Sequence, residues 1–190
     1  MKLHRREVAP QFEAEDIFGA RIDLRAYEGK PVLLTFLRNG ACAICNLRVH
    51  QLIQRYPELH ARGLEFLAVF ESPVSSILQY VTSRQEVPFP IIADPTARLY
   101  DLYGVEVSQE KTQASMARVE TPEFQRMIQD AAAIGYQLLH EKGANFERLP
   151  ADFLIGPDQC IQLAFYSDLI GDHLPLAEVE DALSATGKKI

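Results

Sequence analysis

The sequence predicts an α/β sandwich with a central mixed sheet flanked by helices. Two observations carry this. Two short apolar runs, "PVLLTFL" at 31–37 and "LEFLAVF" at 64–70, have the β-branched and aromatic bias of strands buried on both faces, and helical patterns separate them. A hairpin pattern and a final helix then close the chain.

In order, residues 8–30 read as a strand-and-turn lead-in, with turn signals at 16–19 and 28–30. The 31–37 strand feeds a helix whose apolar positions are Leu47, Leu52, Ile53 and Tyr56, with Pro57 near its end. Gly63 leads into the second strand. Ser72 and Pro73 then read as N-cap and first position of another helix. "FPIIADP" is a short strand, and "TARLYDLYGV" a helical turn or two ending at Gly104. In the 105–148 stretch, Thr121 and Pro122 open a helix expected to run to Gly143, with Phe124, Ile128, Ala131, Ile134 and Leu138 as its stripe. "LPADFLIGPDQCIQLAFYS" is a hairpin turning at 156–159, and "LPLAEVEDALSATG" the closing helix, ending at Gly187. The expectation is one domain over 1–190 with a helical insertion at about 105–148.

A chain of 190 residues buries enough surface to need no staple. Its net charge of −7, with no basic cluster, argues against nucleic acid. The N-terminus lacks a signal-type apolar core, and no apolar run reaches membrane-spanning length, so a cytoplasmic protein with no membrane partner is expected. In that compartment a close cysteine pair points to catalysis, redox sensing or metal binding before structural bracing.

That pair is Cys42 and Cys45, in "FLRNGACAICNLRVHQL" between the first strand and its helix. A zinc clip wants four ligands, and only His50 lies near, while Cys160 stands alone. Two inert core cysteines would suit a buried site, but a helix start exposes them. A strand that delivers C-x-x-C to a helix start reads as a thioredoxin-like redox motif. The free N–H groups and positive dipole of the first turn stabilise a thiolate, and Arg38 upstream adds positive charge. No metal and no cofactor is expected.

Four stretches resemble the peroxiredoxin-like alkyl hydroperoxide reductase and thiol-specific antioxidant (AhpC/TSA) family of the thioredoxin-fold superfamily. They are "APQFEAEDIFG" with "LRAYEGKPVLLTF", "FLRNGACAIC", "FPIIADPTARLYDLYGV" and "LPADFLIGPDQ", spanning about residues 8–165 with a gap at 105–148. The resemblance implies an antioxidant reaction, in which a peroxidatic thiolate attacks a hydroperoxide and a second thiol resolves the sulfenic acid. It also implies a thiol reductant such as a thioredoxin or glutathione system, and it leaves a homodimer open. Laid on the family pattern P-x-x-x-T-x-x-C, the peroxidatic cysteine falls on Cys45, with Cys42 in the Thr slot and Arg38 in the Pro slot. The family's later active-site Arg falls on Pro150, where thioredoxin-type proteins carry a cis-proline beside the disulfide; a cis Leu149–Pro150 bond facing the cysteines is therefore expected. Arg148 is the other candidate for the missing Arg. The resemblance thus offers two reactions: hydroperoxide reduction with Cys45 attacking, or protein disulfide reduction or redox sensing with Cys42 attacking.

Cys160 follows the hairpin turn and should lie far from Cys45, as an ordinary packed strand cysteine. His50, His60 and His140 are placed on helices and His173 in a loop, none with a spaced partner.

Overall fold

The structure, a computed structural model, describes residues 1–186. Strands β1 (Glu13–Glu15) and β2 (Arg21–Asp23) form a small antiparallel sheet. The Asp16 carboxylate pins their turn by accepting from the N–H groups of Phe18 and Ala20. The main sheet holds β3 (Val32–Leu37), β4 (Glu65–Phe70), β5 (Ile91–Ala93), β6 (Ala151–Ile155) and β7 (Ile161–Tyr166), in the order β5-β4-β3-β6-β7. β4 runs parallel to both β3 and β5, while β6 runs antiparallel to β3 and β7. The sheet is mixed, as expected, with β3 at its centre.

All six residues of β3 are buried. One face packs into an aromatic cluster in which Phe36 meets Tyr100 edge-on at 5.0 Å and Tyr103 meets Phe153 at 5.1 Å. The Tyr100 hydroxyl donates to the Leu37 and Val69 carbonyls, so it ties the ends of β3 and β4 together. The opposite face packs Leu33 and Leu37 against Val49 and Leu52 of helix α1 (Ala43–Ala61) and Val179 of α6 (Leu176–Thr186). The other helices are α2 (Val74–Ile77, continued by a π turn over Leu78–Thr82), α3 (Arg98–Leu102), α4 (Gln109–Met116) and α5 (Pro122–Ala133). No helix among the described residues is long and apolar enough to cross a membrane.

Several expectations need correction. The Leu149–Pro150 bond is trans, since no peptide bond among the described residues is cis. Here the chain runs extended into β6: the Leu149 N–H donates to the Glu106 carbonyl and the Pro150 carbonyl accepts from the Ser167 N–H. Hydrogen bonds on both sides hold a straight entry, which is compatible with the ordinary trans form. Ser72 does not cap α2, whose N-cap is Pro73; its hydroxyl is engaged elsewhere. Helix α5 opens on Thr121 and Pro122 as expected but ends at Ala133. Gly135 there takes φ +90° and Tyr136 folds back, its N–H on the Ala131 carbonyl and its ring beside Ala131 and Leu47. Beyond it His140 lies outside any helix, and Leu138, expected in the apolar stripe, is 63% exposed. Helix α4 was not foreseen. α1 continues through Pro57 to Ala61. The Gly187 end of the closing helix lies outside the described residues.

A buried ionic cluster fastens α1 to the sheet. The Asp152 carboxylate on β6 accepts from His173 Nδ1 at 2.9 Å and from the Leu174 N–H at 2.8 Å, with the Arg48 guanidinium of α1 at 3.7 Å. Burial alone would raise Asp152, but His173 and Arg48 more than offset it and hold the carboxyl at about 2; burial pushes His173 down, against the pull of Asp152. Both shifts are downward, so the unfolded chain takes up protons before the folded one does. Stability should therefore fall as pH drops below about 6.5, where unfolded histidine titrates, and further below about 4. Asp152→Asn would leave the Arg48 charge buried without its partner, at a cost of about 3–5 kcal/mol, or on the order of 10 °C in Tm. Thermal melts at pH 7 and pH 5 measure both effects; a D152N melt matching wild type would show that the cluster contributes little.

Candidate active site

The site lies at the C-terminal end of β3. The chain leaves the buried strand at Leu37, turns through Arg38, Asn39, Gly40 and Ala41, and enters α1 with Cys42 as its N-cap. Cys42 takes extended dihedrals, φ −67° and ψ 110°, and its sulfur accepts the Cys45 N–H at 3.2 Å. This is the capping role usually filled by Ser, Thr, Asp or Asn. Asn46, fully buried, closes the turn by donating its side-chain amide to the carbonyls of Gly40 (2.7 Å) and Cys42 (3.1 Å).

The two thiols have opposite environments. Cys42 is half-buried; Cys45 is only 3% exposed and packs in the core beneath α1. The hydrogen bond from the Cys45 thiol is the largest influence on Cys42. Burial opposes it, while the Arg38 charge and the N–H groups of Cys45 and Ile44 add to it, and the Cys42 thiol drops to about 6. Burial, and then donation to Cys42, push the Cys45 thiol well up. A thiol lowered to about 6 favours the thiolate at pH 7. Both cysteines are free thiols here.

Arg38 is buried and held by the backbone before β6: its Nε donates to the Arg148 carbonyl at 2.8 Å and its Nη2 to the Phe146 carbonyl. Arg148 lies next in the chain of contacts. Its Nε donates to Glu71 at 2.6 Å, its Nη1 reaches the Val105 carbonyl at 2.6 Å, and its guanidinium covers the Tyr100 ring at 4.7 Å. Pro150 is buried one residue before Ala151, the register partner of Phe36, so it flanks the end of β3 from which Arg38 emerges. The structure thus gathers Arg38, Cys42, Cys45 and Pro150 at one end of the sheet. Cys160 pairs with Val8 at the opposite end, where Ile155 faces Val32.

A cavity of about 330 Å³ opens over Cys42 and Arg38. Most of its walls come from the 105–148 segment, including Met116, Val119, Phe124, Leu138 and Phe146. A larger hollow of about 730 Å³ between Phe18 and residues 82–91 contains no cysteine, so size does not mark the chemistry here. No group of three or more His, Cys, Asp or Glu among the described residues is placed to hold a metal ion. Sequence reading missed Asn46, Glu71 and Glu141, another residue lining the Cys42 cavity. Only a buried polar residue inside an apolar pattern could have flagged Asn46, and nothing in the exposed-looking 137–147 stretch flags Glu141.

The model of the AhpC/TSA family matches residues 6–164. Among curated proteins, a thiol-disulfide oxidoreductase ResA from Halalkalibacterium halodurans is 32% identical over 99 residues, covering 52% of this chain and 56% of that protein. A peroxiredoxin 2 from Caldanaerobacter subterraneus subsp. tengcongensis is 31% identical over 115 residues, covering 58% and 51%. The chain thus spans about half the length of the curated relatives it matches. Among solved structures, peroxiredoxin 6 of Arenicola marina superposes with a TM-score of 0.69 at 20% identity, covering 98% of this chain and 76% of that one. A thiol:disulfide interchange protein DsbE from Chlorobium tepidum gives 0.63 at 17%, covering 97% and 98%. These likenesses show the thioredoxin fold. With a family model matched across most of its length, the chain belongs to the AhpC/TSA family.

Proposed function

We propose that the protein is a two-cysteine thiol oxidoreductase that exchanges disulfides, with Cys42 attacking and Cys45 resolving. The observation that carries this is the contrast between the sulfurs: Cys42 caps α1 at the cavity and is held as a thiolate, whereas Cys45 is buried beneath it as a thiol. A buried, protonated sulfur is a poor first nucleophile but a well-placed second one. This favours the Cys42-first alternative over the Cys45 assignment that the family pattern suggests.

In the first step the Cys42 thiolate attacks one sulfur of the substrate disulfide. That S–S bond breaks, and the leaving thiolate takes a proton from solvent. Cys45 then gives up its proton and attacks the Cys42 sulfur, which releases the second substrate thiol and leaves a Cys42–Cys45 disulfide. The substrate gains two electrons and the pair loses two. A thioredoxin- or glutathione-type thiol would restore the dithiol, and the cytoplasmic setting expected from the sequence belongs to the same proposal.

One observation favours hydroperoxide reduction as a second reading: the cavity over Cys42 is apolar and flanked by Arg38. There the thiolate would attack the terminal oxygen, an alcohol would leave, and Cys45 would displace water from the Cys42 sulfenic acid. Stopped-flow oxidation by an organic hydroperoxide and by a small disulfide separates the two.

Cys42→Ser is expected to abolish reaction with either oxidant. Cys45→Ser should keep the first step but trap a mixed disulfide on Cys42, with steady-state turnover down at least a hundredfold, in line with the loss of a nucleophile acting in a unit. Intact-mass analysis of each variant reads the trapped species, and a covalent adduct on Cys45 in C42S would reverse the assignment. In wild type, alkylation of Cys42 should rise through pH of about 6 and level off above 7. Arg38→Met should move that midpoint upward, because it removes the positive charge that favours the thiolate.

A further inference from the structure

Between Tyr136 and Arg148 the chain follows no helix or strand, and residues 137–147 are exposed or half-exposed with one exception. Glu141 is only 7% exposed. A carboxylate taken out of water needs compensating donors. It finds them in the redox loop: Glu141 Oε2 accepts the Ala41 N–H at 3.3 Å and the Ser72 hydroxyl at 3.0 Å. The Ser72 oxygen in turn accepts the Gly40 N–H at 3.0 Å. Glu141 and Ser72 together therefore hold the two consecutive N–H groups just before Cys42. The next N–H, that of Cys42, turns back to the Asn39 carbonyl at 3.2 Å, and the helix then opens with the Asn46 N–H on the Cys42 carbonyl at 3.0 Å. The fit is close, since a Cβ on Gly40 would lie 3.2 Å from the Ser76 carbonyl oxygen and 3.5 Å from Glu141 Oε2.

We propose that Glu141 is a positioning residue for the thiol chemistry: it fastens the 105–148 segment to the redox loop and thereby sets the reactivity of Cys42. The proposal rests on the reading of Cys42 as the attacking thiol. Two effects follow. The loop geometry that puts Cys42 in extended N-cap dihedrals depends on the Ala41 and Gly40 anchors. The carboxylate also stands one peptide from Cys42 and opposes the thiolate that Arg38 and the helix start favour. The charged and titratable groups around Cys42 are Arg38 at the end of β3, Cys45 on α1, and His140 and Glu141 from the segment. Arg148 and Glu71 lie behind Arg38 and pair with each other. Glu141 thus tempers the Arg38 effect while fixing the loop.

Glu141→Gln keeps an oxygen for both donors and removes the charge; Glu141→Ala removes both. Iodoacetamide alkylation followed across pH, resolved to the Cys42 peptide by mass spectrometry, reads the thiolate without any substrate. E141Q is expected to lower the Cys42 midpoint by about half a unit or more, as loss of a nearby like charge requires. E141A is expected to slow exchange with a small disulfide by about tenfold or more, as misplacement of a reacting group does, and E141Q to restore it. An unmoved E141Q midpoint overturns the proposal, as does an E141A exchange rate equal to wild type. If E141A does not fold, the E141Q midpoint decides alone. A wild-type midpoint near the ordinary value of about 8.5 would instead overturn the reading of Cys42 itself.

Discussion

One hydrogen bond organises the site: the Cys45 main-chain N–H on the Cys42 sulfur. A helix start must satisfy free N–H groups, and this chain offers a sulfur where a hydroxyl or carboxylate usually serves. A thiolate accepts such bonds better than a thiol, so capping α1 and ionising Cys42 favour each other. The coupling has a redox consequence. Once Cys42 forms a disulfide it loses its charge, the cap weakens, and Arg38 loses the anion it favours. The reduced pair is the better-satisfied state, which raises the potential of the couple: a thioredoxin- or glutathione-type thiol restores the dithiol readily, and the disulfide that the pair reduces must be more oxidising still.

That bond needs a fixed point to start from, and the centre of the sheet supplies it. β3 is covered by aromatic rings on one face and by α1 and α6 on the other, and the Tyr100 hydroxyl ties its last carbonyl beside the Val69 carbonyl of β4. The redox loop therefore leaves an element with little freedom to shift. At its far end, Asp152 and Arg48 hold α1 to β6. The sulfur is presented between two rigid bodies, with only residues 38–42 to adjust.

Most of the sheet was legible in the sequence because its strands are continuous apolar runs that no surface helix would carry. The cysteine pair was legible for a related reason: a strand, two sulfurs and a helix pattern in series leave few arrangements. What failed to show was set by contacts distant in sequence. Ser72 has every local mark of a helix cap, yet Gly40 and Glu141 claim its hydroxyl. Gly143 looked like the stop of α5, but Tyr136 found a buried seat against Leu47 and turned the chain eight residues sooner. The choice between the two sulfurs was equally hidden, because three residues on a helix carry no statement of which side faces the core.

The arrangement of arginines bears on which oxidant suits the site. Peroxide reduction by a thiolate profits from a cation free to polarise the O–O bond. Arg38 spends Nε and one Nη2 hydrogen on the Arg148 and Phe146 carbonyls, so it acts on the sulfur mainly as a charge. Arg148 is turned to Glu71 and the Val105 carbonyl, which balances its charge away from the cavity. Pro150, in the slot where the family pattern carries an arginine, contributes no donor at all. A disulfide asks for less, because its leaving group is a thiolate that needs no polarising donor. With Arg38 and Arg148 held by these partners and a second sulfur three residues on, the proposed sulfur-to-sulfur exchange asks neither arginine to leave its backbone and carboxylate contacts.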